Sequence, residues 1–232
     1  MTARPAASED LCDRIDALIE ERSLLKHPFY QTWQKGELTL DALKGYACQY
    51  YHHVLAFPTY VSGAHANCDD LADRQELLEN LVEEEQGPHN HPELWLRFAE
   101  ALGMTREEVI NSTPLPETAD LISTYRGITK DRPFIEGIAA LYAYESQVPA
   151  VADTKIDGLK RFYGITDKRG LEFFVVHSSV DVEHSRVTRN LVAKYGDSEE
   201  AGEAAESAVD QATGALWSLL DGIYREHVAA AA

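Results

Sequence analysis

Apolar side chains recur along most of this chain every three or four residues, which is the spacing of amphipathic helices. No stretch shows the strict alternation of a half-buried strand, and prolines and glycines interrupt the helical stretches. The pattern predicts a first helix over 8–23, a second that starts near Thr39 and is kinked or ended by Pro58, and a long helix over 167–194. We therefore predict an all-α fold of seven to nine helices around one core, in a single domain over residues 1–232.

One apolar stretch within the predicted long helix carries polar side chains at regular intervals. Residues 173–187 read FFVVHSSVDVEHSRV. At about 100° per helical residue, His177, Asp181 and His184 fall within roughly 60° of one another. Most of the phenylalanine and valine side chains of this stretch fall on the same side of the helix. The three polar groups are therefore expected to point toward the core.

Buried polar groups need compensation, because burying them without a partner is costly. The stretch leaves two arrangements open, a hydrogen-bonded His–Asp pair or a metal site. Two other segments offer ligands: LVEEEQGPHNHPELW contains Glu84 and His91, and LYAYES places Glu145 among apolar and aromatic neighbours. Gly87 and Pro88 interrupt the first segment, so spacing alone does not put its two candidates on one face. Three carboxylates and three imidazoles are typical of a non-haem site for two metal ions, iron or manganese rather than structural zinc.

Composition and charge exclude several classes of partner. The chain has 39 acidic and 21 basic residues and a formal net charge of −18, whereas nucleic acids and anionic membranes bind clustered Lys and Arg. No apolar run reaches the roughly 18 residues of a membrane span, and MTARPAASEDLCDRI lacks the apolar segment of a signal peptide. Three cysteines lie far apart without a CxxC pair, as in proteins of reducing compartments. We expect a cytoplasmic protein that binds neither nucleic acid nor membrane.

At these residues the chain resembles the family of the chlamydial protein associating with death domains, the CADD-like p-aminobenzoate synthases. The resemblance spans nearly the whole chain, from HPFY at 27–30 to the motif at 177–184. It implies a single-domain haem-oxygenase-like helical bundle and a non-haem di-metal oxygenase. The metal ligands that it implies are Glu84, His91, Glu145, His177, Asp181 and His184.

The function implied by this resemblance is production of p-aminobenzoate for folate biosynthesis. Tyr30, in HPFYQTW, matches a tyrosine that the protein consumes as the source of the aromatic ring. Lys155, in ADTKIDG, matches the lysine that donates the amino nitrogen, and Tyr46, in KGYACQYY, matches a second tyrosine near the site. The implied cofactors are two transition-metal ions, Fe/Fe or Mn/Fe, with O₂ as co-substrate and an external reductant of unknown identity. Each molecule would then react once or a few times.

Other interpretations stay open on the sequence alone. A related di-metal oxidase would act on an external small molecule, and a metal-free relative would work like pyrroloquinoline-quinone synthase, because one fold can host several chemistries. The resemblance also implies a homodimer, whereas no feature of the chain indicates a surface for death domains and we do not expect one. His52 and His53 are adjacent and point about 100° apart, so at most one could join the site, and we expect neither to do so.

Overall fold

The computed structural model describes residues 6–229, with side chains described from Asp10 onward. Regular structure in this part of the chain is helical throughout, which confirms the all-α prediction, and it comprises twelve α-helices and one 3₁₀ turn at Leu24–Lys26. The helices are α1 (Ala6–Glu21), α2 (Pro28–Lys35), α3 (Leu40–Ala66), α4 (Leu71–Glu85), α5 (His91–Ala101), α6 (Arg106–Ile110), α7 (Pro116–Asp131), α8 (Phe134–Glu145), α9 (Val148–Phe162), α10 (Lys168–His177), α11 (Val180–Tyr195) and α12 (Glu199–His227). These segments outnumber the seven to nine expected, because short helices and breaks divide the longer predicted stretches.

Helix α8 occupies the centre of the bundle. Its sequence FIEGIAALYAYE is apolar nearly all round, and every residue from Gly137 to Glu145 is buried. It packs against α3, α7, α11 and α12, while α5 packs against α3 and α10 on the far side. A carboxylate at the end of such a helix lies in the interior of the protein.

Side-chain caps fix where several helices begin, as the sequence predicts. Thr39 Oγ1 accepts from the backbone N–H of Ala42 at the start of α3. Thr105 and Glu108 form a capping box at the start of α6. These caps pair backbone N–H groups that have no partner within the helix.

Two helix boundaries differ from the sequence prediction. Pro58 neither ends nor interrupts the assigned helix α3, which runs on to Ala66, because tertiary packing on both sides holds the helix. The predicted helix over 167–194 is broken at residues 178–179 into α10 and α11. There the hydroxyls of Ser178 and Ser179 donate to the carbonyl oxygens of Val175 and Val176. Such local bonds compete with helix continuation, so the single-helix prediction for 173–187 is wrong.

Among the described residues, no helix combines the length and apolar character needed to cross a bilayer. None of the three cysteines forms a disulfide within the described residues, and Cys12 and Cys68 are buried.

Candidate metal centre

Three ligand-type side chains from three helices meet in the interior. Glu84 lies in the last turn of α4, His91 is the first residue of α5 and His177 is the last residue of α10. One ligand atom from each lies within 4.8 Å of the other two, and all three residues are buried. The break between α4 and α5 therefore does not separate Glu84 from His91, since the chain turns back and both helix ends reach the same point.

A small cavity at this point has five of the six predicted ligands in its wall. Its volume is about 10 Å³, which is space for about one water molecule. Glu145 reaches it from the end of α8 and Asp181 from the first turn of α11. The cavity wall consists of Val54, Phe57, Glu84, His91, Tyr144, Glu145, Phe173, His177 and Asp181.

His177 is held in one orientation by the backbone. Its Nδ1 lies 2.6 Å from the carbonyl oxygen of Phe173, one helical turn earlier. Since a carbonyl only accepts, Nδ1 carries the proton and Nε2 keeps its lone pair. The Phe173 ring stacks on the imidazole with centroids 4.0 Å apart. A hydrogen bond that fixes the tautomer in this way is what metal-binding histidines commonly have.

Glu145 is oriented by two neighbours that sequence reasoning did not single out. Asn80 Nδ2 donates to Oε1 at 2.7 Å, and Thr188 Oγ1 donates to Oε2 at 3.2 Å. A detectable signal existed for both, because Asn80 precedes Glu84 by four residues and Thr188 follows His184 by four residues. That spacing places each pair on one helix face.

His184 lies beside Asp181, at the outer edge of the centre. Its Nδ1 is 3.4 Å from Asp181 Oδ1, and its Nε2 is 3.2 Å from Oε2 of Glu83. His184 does not line the small cavity, so it is the one predicted ligand that the cavity itself does not include. The Glu83 side chain is about half exposed and contacts this histidine.

Several buried atoms here lack hydrogen bonds within the described part of the chain. Asp181 Oδ2 and Nδ1 of His184 and His91 have no hydrogen-bond partner. His91 Nδ1 nevertheless lies only 2.7 Å from Glu84 Oε2, without hydrogen-bond geometry. Short contacts between lone-pair atoms that no hydrogen bond explains are expected of ligands that share a cation.

Burial displaces the protonation equilibria of this cluster. It raises the pKa of Glu145 to about 7 and that of Asp181 to about 6. Burial and then the neighbouring His91 lower the pKa of His177 well below its usual value. Burial opposes charge on His184 as well, but Asp181 and Glu145 outweigh it and raise its pKa to about 9. Carboxylates and imidazoles packed without solvent are stabilised by bound cations, so the residues present fit a transition-metal site.

Tyr30, Tyr46 and Lys155 lie together in the interior next to this cluster. The two tyrosine hydroxyls are 3.3 Å apart, and both side chains are fully buried. Lys155 is 3% exposed, and its Nζ lies 5.6 Å from the ring centre of Tyr30 and 5.2 Å from that of Tyr46. No carboxylate of the described chain pairs with this amine, and burial lowers its pKa to about 7. The sequence alone treats this lysine as a surface residue by default.

A row of tyrosines connects Tyr30 with the cavity of the candidate metal centre. The ring centres of Tyr46 and Tyr50 are 5.1 Å apart, and the hydroxyls of Tyr50 and Tyr144 are 2.8 Å apart. Tyr144 belongs to the wall of the cavity that holds the predicted ligands. The sequence analysis missed the part played by Tyr50 and Tyr144, and their aromatic surroundings gave no signal beyond burial.

His52 and His53 are not among the three converging side chains Glu84, His91 and His177, and the expectation that neither is a ligand stays a prediction. His52 Nε2 lies 3.0 Å from Ser112 Oγ. His53 is fully buried among aromatic rings, with neither ring nitrogen hydrogen-bonded to a described residue.

A family model described as "iron-containing redox enzyme", of the haem-oxygenase-like type, matches residues 44–217. The 4-aminobenzoate synthase of Nitrosomonas europaea is 43% identical, covering 96% of this chain and 94% of its own. The 4-aminobenzoate synthase of Chlamydia muridarum is 39% identical, covering 92% of each chain. The pyrroloquinoline-quinone synthase of Ruegeria pomeroyi is a more distant match at 25% identity over 95% of this chain and 92% of its own.

The fold is shared with solved structures of lower sequence similarity. A CADD-like protein of Nostoc punctiforme superposes with a TM-score of 0.80, covering 97% of this chain and all of the other, at 20% identity. This likeness bears on architecture alone, and it confirms the predicted haem-oxygenase-like bundle.

Proposed function

The chain belongs to the family of iron-containing redox enzymes with this helical fold, together with the 4-aminobenzoate synthases, and we propose that it makes 4-aminobenzoate from its own Tyr30. The observation that carries the proposal is that a buried tyrosine and a buried lysine lie side by side, and that a row of tyrosines joins them to the cluster of ligand-type side chains. Neither a di-metal oxidase of an external substrate nor a metal-free enzyme would need this combination.

The metal ions would be held by the six predicted ligands, Glu84, His91, Glu145, His177, Asp181 and His184. An iron pair or an iron–manganese pair bound there would supply one-electron oxidation driven by O₂ and an external reductant. Asn80 and Thr188 would keep the Glu145 carboxylate in position, and the Phe173 carbonyl would keep Nε2 of His177 free of a proton. The apolar walls exclude bulk water from the reaction.

Tyr30 supplies the ring and one carbon of the product. Its side chain would become 4-aminobenzoate when the Cα–Cβ bond breaks, O₂ oxidises Cβ to a carboxylate, and the Lys155 nitrogen replaces the phenolic oxygen, which leaves as water. The Cε–Nζ bond of Lys155 would break in this transfer, and hydrolysis of the intermediate imine would leave Cε as an aldehyde. Full burial holds the ring in one place and keeps reactive forms of it away from solvent.

The tyrosine row provides a route for oxidising Tyr30 at a distance from the ligands. Once Tyr144 has lost an electron and a proton, Tyr50 can replace both through the contact between the two hydroxyls. Tyr46 lies in ring contact with Tyr50, and its hydroxyl lies 3.3 Å from that of Tyr30, so either hydroxyl can donate to the other. The net result of these transfers is a Tyr30 that has lost one electron and one proton.

Lys155 is suited to be the nitrogen donor. With a pKa of about 7, a large share of its amine is unprotonated and nucleophilic at neutral pH. The amine lies against the faces of Tyr50, Tyr46 and Tyr30, which keeps it beside the ring that it would aminate.

A single incubation tests both donors. Metal-free protein is given Fe²⁺, with or without Mn²⁺, then a reductant and O₂, and 4-aminobenzoate is measured by mass spectrometry. We expect the tryptic peptide HPFYQTWQK (27–35) to lose the mass of the Tyr30 side chain in proportion to product. We also expect altered Lys155 to block cleavage after residue 155, so the peptide ending there declines in parallel.

Matched tyrosine variants make the result specific. Tyr30→Phe should form no 4-aminobenzoate, whereas Tyr125→Phe, which changes another fully buried tyrosine, should still form it. Product formation by Tyr30→Phe would instead favour the di-metal oxidase of an external substrate. Product formation in the presence of a strong chelator would favour a metal-free reaction.

The homodimer, the cytoplasmic location and the choice between Fe/Fe and Mn/Fe are further parts of the proposal. The metal is identified by elemental analysis of active protein, and the assembly by light scattering. We do not propose a role in binding death domains, nucleic acid or membranes.

A further inference from the structure

A second cavity lies on the solvent side of the metal centre, between α4 and α11. It has a volume of about 210 Å³. Four glutamates line it and no lysine or arginine does, so its interior is strongly negative. We call it the acidic vestibule; its glutamates are Glu76, Glu79, Glu83 and Glu183.

Three residues form the floor of the acidic vestibule. They are Asn80, His184 and Thr188. On the inner side, Asn80 and Thr188 hydrogen-bond Glu145, and His184 Nδ1 lies 3.4 Å from Asp181. These three vestibule residues therefore lie against Glu145 and Asp181, which line the ligand cavity.

Several oxygen atoms of the residues that line the acidic vestibule have no hydrogen bond or ion pair with another described residue. Asn80 is 3% exposed, and its Oδ1 has no hydrogen-bond partner in the described chain. Within the same part of the chain, Glu79 has no ion pair and Glu83 pairs only with Nε2 of His184, whereas Glu183 is paired with Arg186. A buried amide oxygen, two carboxylates and an imidazole are donors that suit a divalent transition-metal ion.

We propose that the acidic vestibule is the route by which divalent transition-metal ions reach the centre, with Glu83 and His184 as their first ligands. The inference rests on the metal centre of the proposed function. The glutamates raise the local concentration of cations, and the His184 ring has its Nε2 toward Glu83 and its Nδ1 toward Asp181. The ion would move inward by leaving Glu83 for Asp181 while it stays beside His184.

The test measures the rate of metal uptake rather than catalysis. Metal-free protein is mixed with Co²⁺ in an anaerobic stopped-flow instrument, and the absorbance of bound Co²⁺ is followed at low and high ionic strength. The double variant Glu79→Gln/Glu83→Gln should take up Co²⁺ about tenfold more slowly than the unmodified protein at low ionic strength. The difference should shrink in about 0.5 M salt, because salt screens the field.

The control is Glu85→Gln, which removes one negative charge from an exposed residue of the same helix outside the acidic vestibule. It should take up Co²⁺ within about twofold of the unmodified rate, since only the field inside the vestibule steers the ion. Equal uptake rates for the double variant and the control would overturn the route while leaving the metal centre intact. A double variant whose affinity falls only through faster release would also overturn it, because Glu83 would then be a ligand of the final site. Failure of the unmodified protein to bind Co²⁺ at all would instead remove the proposed metal centre.

Discussion

The buried Lys155 should make the stability of the metal-free protein depend on pH, and Lys155→Met should remove that dependence. The amine has a pKa of about 7 in the folded protein, against 10.5 in a solvated lysine. Between these values the unfolded chain holds a proton that the folded chain lacks, so the free energy of unfolding rises with pH. Burial of Lys155 therefore lowers the free energy of unfolding by its full amount below pH 7 and by nothing above about pH 10.5. The difference of 3.5 pKa units, at 1.36 kcal/mol each, corresponds to about 5 kcal/mol.

Methionine has a similar unbranched shape and no charge, so Lys155→Met should stabilise the protein most at low pH. The gain should be about 3 kcal/mol larger at pH 6 than at pH 9, since most of the proton release on folding occurs within that window. Five aromatic rings lie against the Lys155 amine and stabilise its ammonium form. Wherever the amine is protonated, these contacts reduce the stability gained by Lys155→Met. Urea titrations in the presence of a chelator, followed by tryptophan fluorescence, give the free energies of unfolding.

The matched control is Lys160→Met on the exposed side of the same helix. Its effect should stay within about 0.5 kcal/mol at both pH values, as is usual for surface substitutions. A gain from Lys155→Met that is equal at pH 6 and pH 9 would refute the reasoning, because it would mean that the lysine keeps its proton when the chain folds.

Three further predictions address the centre and its support. Asn80→Ala removes the donor to Glu145 Oε1 and should weaken metal binding about 10- to 100-fold in a competition titration, whereas Gln75→Ala, an exposed change on the same helix, should not. Tyr144→Phe removes the hydroxyl that contacts Tyr50 and should slow the loss of the Tyr30 side chain at least tenfold in the peptide assay; an unchanged rate would exclude the tyrosine row as the route. Gly158→Ala should lower the free energy of unfolding by about 1–3 kcal/mol in urea, because a Cβ there would lie 2.5 Å from Nε1 of the buried Trp33; Gly127→Ala, which meets nothing within 4 Å, should not destabilise.

The sequence predicted which residues would be interior more reliably than it predicted the backbone that carries them. His177, Asp181 and His184 were placed on one continuous helix, yet two serines end α10 between the first and second of them. They still lie close together, since His177 and Asp181 line one cavity and His184 Nδ1 lies 3.4 Å from Asp181 Oδ1. Hydrophobic periodicity reports burial of each position, whereas a two-residue break depends on local hydroxyl bonds that periodicity does not register.

Other features lay beyond any pattern in the chain. Glu145 could be identified because a carboxylate in an apolar helix is rarely buried without a partner. Lys155 and Tyr30 could not, since a lysine in a polar segment is normally exposed and a buried tyrosine is normally packing. Only the resemblance to a known family singled them out, and their proximity depends on how α2 and α9 pack together.

The complete burial of Tyr30 has a consequence for the fate of the protein after it reacts. Losing this side chain would leave an aromatic-sized hole between Phe29, Trp33 and Tyr46. Holes of that size lower folding stability by about 3–5 kcal/mol, a large part of the roughly 5–15 kcal/mol that holds a typical domain together. A spent molecule would therefore unfold more often than a fresh one and become a preferred substrate for cellular proteases, so the supply of product would be tied to continued synthesis of the chain.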